Sequence, residues 1–148
     1  MNSKESYTVL LKGALAEFLE QALVYLKDPK KLSRLLTAVL TYADENKNAV
    51  RTFFKDVLLL WEMLNAWFRR EYRAIPKKTI VLIVAALIYF VSPIDLIPDW
   101  LPGGFIDDAA LITWVIQSIA SDIKKFKSWK KRRKNRRETH DRSKRYVL

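Results

Sequence analysis

The chain of 148 residues has the length of one domain and can bury a core without crosslinks, since it has no cysteine. That absence excludes disulfides, thiolate metal sites and a thiol nucleophile, while the lone histidine, His140, and three scattered glycines leave no basis for imidazole catalysis or a phosphate-cradling loop. The net charge of +11 lies at one end: residues 1–123 hold 14 basic and 14 acidic residues, whereas residues 124–148 hold 13 basic and 2 acidic ones.

The first twelve residues, MNSKESYTVLLK, lack the basic start and apolar run of a secretory signal, so the N-terminus is read as staying inside the cell. Leu11, Leu15, Phe18, Ala22 and Tyr25 recur three or four apart and predict an amphipathic helix. DPKKLSRLL restarts the pattern, with Asp28 suited to cap a helix and Pro29 to its first position. Leu32, Leu35, Leu36, Val39 and Leu40 continue the apolar face up to a polar break at Ala43 to Asn48. A longer helix follows, striped by Val50, Phe53, Phe54, Val57, Trp61, Leu64 and Phe68, and core packing is the expected use of that stripe. Trp61, Trp67 and Tyr72 near its end also suit a membrane interface.

Pro76 opens the second half inside a basic collar of Arg69, Arg70, Arg73, Lys77 and Lys78, opposed only by Glu71. Thr79 to Ile94 is uncharged for 16 residues, about 24 Å of helix. Ala109 to Ser121 is uncharged for 13 residues, about 20 Å. Both are short against a hydrocarbon core of about 30 Å. Ile112, Val115, Ile119, Ile123 and Phe126 form a stripe through the second run as it becomes polar. No strand alternation and no internal repeat is present.

Between the two runs lies SPIDLIPDWLPGGFIDD. Ser92 can cap, Pro93 fits a first helical position, and Asp95 can complete a capping box. Pro98 and Pro102 forbid a long helix, and Gly103 and Gly104 let the chain reverse. Asp107 can cap the next helix and Asp108 suits its first turn. Asp95, Asp99, Asp107 and Asp108 also offer oxygen ligands to a divalent cation. Their spacing is not that of a known calcium loop, so capping is the expected role of most of them.

This segment resembles the signature of the YkvA-like family, bacterial domains of unknown function built on a hydrophobic helix, an S-P-I-D-L-I-P-D segment, a glycine turn and a paired aspartate. Ser92, Pro93, Asp95, Pro98, Asp99, Pro102, Gly104, Asp107 and Asp108 match, over a region from about Glu71 to Phe126. Gly103 departs from it, standing where the family often has a larger apolar residue. The resemblance implies a small helical protein associated with a membrane, and it carries over no catalytic residue and no cofactor.

The expected fold is all-α, with amphipathic helices over residues 1–73, a hydrophobic hairpin over 74–126, and a disordered basic tail over 127–148. One reading inserts the hairpin in a membrane with the N-terminus and tail in the cytoplasm, because basic residues flank it and its tip is acidic. Lys77, Lys78, Lys130, Lys131, Arg132 and Arg133 would then contact anionic lipid. The other reading buries the same helices in a soluble five-helix bundle, which a mean hydropathy of −0.10 suits. In that case the aspartates would be the metal candidates, as in a metal-assisted hydrolase. The resemblance favours the membrane. A nucleic-acid arm is a further alternative for the basic tail, disfavoured because the tail offers Trp129 as its one tryptophan and no stacking platform. No small-molecule substrate and no protein partner is identified.

Overall fold

The computed structural model describes residues 16–91 and 108–146. Among them all regular structure is helical, as the periodicity predicts. The chain divides into two units, one ending at Ser118 and one beginning at Ile119.

In the first unit, α1 (16–26) buries Phe18 and Ala22 and closes with Asp28 donating its N–H to Tyr25 O at 3.0 Å. Asp28 then caps α2 (Pro29–Glu45): its carboxylate accepts from Lys30 N at 3.0 Å and Lys31 N at 3.4 Å, and Pro29 takes the first helical turn. Both features are those the local sequence predicts. α2 buries Leu32, Leu35, Leu36, Val39 and Ala43. It stops at Asn46, whose backbone N–H and side-chain Nδ2 both donate to Tyr42 O, at 3.0 and 2.8 Å.

A single turn, α3 (Lys47–Val50), precedes α4 (Phe54–Phe68). The turn at residues 51–53 interrupts the long helix expected from Val50 and resets its register. Phe53 consequently enters the core and Phe54 is left 43 % exposed. The buried face of α4 is Val57, Leu60, Met63, Leu64 and Ala66, so two of the expected stripe positions, Trp61 and Phe68, are only partly covered. Trp61 spans to the neighbouring helix by donating its Nε1–H to Leu36 O at 2.8 Å.

The uncharged run forms α5 (Lys77–Val91), and ten of its 15 residues are buried. A helix apolar on all sides requires cover on all sides. Protein supplies it here: α5 packs against α2, α4 and α6 (Asp108–Ser118). Aromatic rings extend these contacts, with Tyr89 edge-on to Phe18 of α1 at 5.3 Å, and Phe90 edge-on to Tyr42 at 5.0 Å and to Phe53 at 6.2 Å. Such contacts contribute beyond simple area burial. α6 adds Leu111, Ile112 and Val115 to the same core.

The described part of the expected hairpin is short against a bilayer. Fifteen residues rise about 22 Å, well below the roughly 30 Å of a bilayer's hydrocarbon. Among the described residues no helix is long and apolar enough to cross a membrane. The preceding amphipathic helices α2 and α4 lie against α5.

The second unit is α7 (Ala120–Tyr146), 27 residues long. Ile119, Ile123 and Phe126 are buried; beyond them, up to residue 140, only Trp129 and Arg133 are even partly covered. Within the tail expected to be disordered over 127–148, the helix α7 runs through Tyr146. Lysine and arginine lose little rotamer freedom in a helix, and no proline or glycine follows Gly104 to interrupt one.

Candidate functional site

Most of the signature lies outside the described residues: Ser92, Pro93, Asp95, Pro98, Asp99, Pro102, Gly104 and Asp107 fall within 92–107. Asp108 is the first residue of α6, the place expected of an acid in a first helical turn. Among the described residues no group of three or more histidines, cysteines, aspartates or glutamates is placed to hold a metal. The proposed ligands Asp95, Asp99 and Asp107 stand outside that statement.

The basic candidates fall into two places. Lys77 and Lys78 are exposed at the start of α5. Lys130, Lys131 and Arg132 are exposed on α7, while Arg133 sits over the Trp129 ring, 5.2 Å from its centroid. Trp129 in turn stacks on Phe126 at 5.6 Å, so this indole is occupied by its own helix. Between Lys124 and Arg137, α7 carries ten basic residues and no acidic one. They are spread around the helix, which leaves the stretch beyond Phe126 no broad apolar face suited to insertion below lipid headgroups.

The α4–α5 connection is more closely specified than the collar in the sequence reveals. α4 ends with Arg69 N donating to Asn65 O at 2.9 Å, and Arg70 N to Trp67 O at 3.1 Å. Glu71 N and Tyr72 N both reach back to Ala66 O, at 2.9 and 3.2 Å. This wrap needs a left-handed residue, and Arg70 takes that conformation with φ of 62°. Tyr72 and Ile75 are buried, 8 % and 6 % exposed, and pin the segment. Arg69, Arg70, Arg73, Lys77 and Lys78 all remain exposed. Arg73 stacks on the Trp67 ring with its guanidinium 4.3 Å from the centroid. The residue types of this corner are legible in the sequence; the left-handed arginine is not, because glycine or asparagine is the usual signal for that position.

One further concavity is an open groove of about 490 Å³ along α2, lined by residues including Arg34, Thr37, Thr41, Glu45 and Val91.

The model of a protein family of unknown function, DUF1232, matches residues 79–114, from the start of α5 into α6. The chain is 35 % identical over 75 residues to an uncharacterized membrane protein, YkvA, of Bacillus subtilis (strain 168), an alignment covering 50 % of this chain and 71 % of that relative. No solved structure matches significantly. With the hydrophobic helix and the start of α6 both inside the matched region, the chain belongs to the YkvA-like family of uncharacterized proteins.

Proposed function

We propose that the protein is a membrane-associated helical interaction module, attached to the bilayer surface by charge while its apolar helices stay inside the bundle. The observation that carries this reading is α5: its buried face is satisfied by α1, α2, α4 and α6, so lipid is not needed to cover it. Attachment then falls to the basic surfaces, above all α7. Each cation near an anionic leaflet contributes about 1 kcal/mol, so a cluster of this size is ample for reversible binding. The name of the B. subtilis relative as a membrane protein supports the association. The cytoplasmic leaflet, with its anionic lipid, is the proposed side. The role is structural or adaptor-like, and no reaction is assigned.

Cell fractionation tests this. The protein is expected in the membrane pellet at low salt and in the supernatant after a high-salt wash. Retention through both salt and alkaline carbonate would overturn surface attachment and return the hairpin to the bilayer. Recovery in the soluble fraction at low salt would overturn membrane association itself.

A further inference from the structure

Early in α7, helical spacing gathers charge on one face. Lys124, Lys127 and Lys131 stand three and four residues apart with Ser128 between them, so all four share one face over about 10 Å of helix. The structure places a concavity there: an open groove of about 410 Å³ is lined by these four residues together with Ala120 and Ile123. Three lysines thus border a single space, and no acidic residue is among the described residues that line it. The lysines are exposed, and among the described residues neither they nor the Ser128 hydroxyl have a side-chain hydrogen bond or ion pair. Lys130 and Arg133, on another face of the helix, are by contrast engaged. Like charges three and four apart on a helix repel one another, so an anion in the groove would relieve the strain of the bare face.

We infer that this groove on α7 holds the phosphate of a lipid headgroup, and a phosphomonoester in preference to a phosphodiester. A monoester carries about −1.5 to −2 charges at pH 7 and three strong acceptor oxygens, which suits three cations around one space. Each lysine brings a compact point charge with three rotatable donors, and Ser128 adds a hydroxyl donor. Ala120 and the buried Ile123 give the groove an apolar end, which fits the body of a lipid better than a free phosphate. Lys125, Arg132 and Arg136 do not line the groove and contribute general attraction only. The inference rests on the proposed membrane association and names, within the basic surface of α7, the face that meets the headgroup.

The full-length chain is tested by co-sedimentation with vesicles of equal surface potential containing either phosphatidic acid, a monoester, or phosphatidylglycerol, a diester. Glycerol 3-phosphate serves as the soluble competitor and a short DNA duplex as a second probe. The parent is expected to prefer phosphatidic acid by about fivefold, the worth of roughly one further charge contact. Lys124→Gln/Lys127→Gln/Lys131→Gln is expected to bind phosphatidic acid vesicles about 100-fold more weakly, roughly fivefold per cation, and to lose the preference while keeping its helicity and melting temperature. The charge-matched Lys125→Gln/Arg132→Gln/Arg136→Gln is expected to lose less and to keep the preference. Anionic-vesicle binding with no preference for the monoester, or equal losses in the two triple variants, would overturn the groove and leave surface attachment through α7 standing. A parent that binds no anionic vesicle overturns both readings. Displacement by glycerol 3-phosphate at concentrations matching the lipid phosphate would overturn the lipid as occupant in favour of a soluble phosphomonoester. Loss of duplex binding alone in the groove variant would assign the face to nucleic acid, and a lowered melting temperature for that variant would make its lysines structural.

Discussion

The helical unit ending at Ser118 and the helix α7 are made of the same kind of secondary structure and held by different physics. In the first, α5 is a helix only because it is also a core: its ten buried residues lie against neighbours on several sides. In the second, residues 127–140 are almost wholly exposed and remain helical on the propensity of lysine and arginine. Apolar surface is used within the fold, and charge is left outside it. A protein so divided can approach an anionic surface without rearranging its core.

Core truncation should separate the two most sharply. Phe90, 1 % exposed and touching the rings of Tyr42 and Phe53, is expected to cost about 3–5 kcal/mol as Phe90→Ala, read by denaturant unfolding in detergent-free buffer. A loss below about 1 kcal/mol would mean that α5 does not use its protein cover in water, and the comparison would fail. Local capping should matter less. Asp28→Ala removes the acceptor for Lys30 N and Lys31 N and is expected to lower stability by about 1 kcal/mol, with Asp28→Asn nearly neutral. Smallest should be a change on α7: Lys131→Ala is expected to shift unfolding by no more than about 0.5 kcal/mol, because the residue is exposed. A larger loss would place α7 within the cooperative core and erase the contrast.

Much of this architecture can be read from particular residues. Asp28 followed by Pro29 specifies a helix start through groups two and three residues away, and the structure uses them so. The spacing of Leu32, Leu35, Leu36 and Val39 specifies a buried face because a helix repeats every 3.6 residues. Periodicity failed at Phe54 and Leu40, both more than 40 % exposed. At Phe54 a turn over 51–53 changed the register; at Leu40 the residue lies at the edge of a stripe whose centre Val39 holds. The signature aspartates were legible as a family mark, while their contacts fall within 92–107, outside the described residues.

Helix class, the caps and the separation of charge from apolar sequence thus followed from local chemistry, since each depends on neighbours within one or two turns. Which neighbours cover the uncharged run could not follow from it: a helix apolar on every side does not say what it packs against, and only the tertiary structure places Phe18, Tyr42, Phe53 and the faces of α2, α4 and α6 around it. The left-handed Arg70 is of the same kind, because the backbone wrap to Ala66 and the anchoring of Tyr72 and Ile75 impose a conformation that arginine does not choose alone.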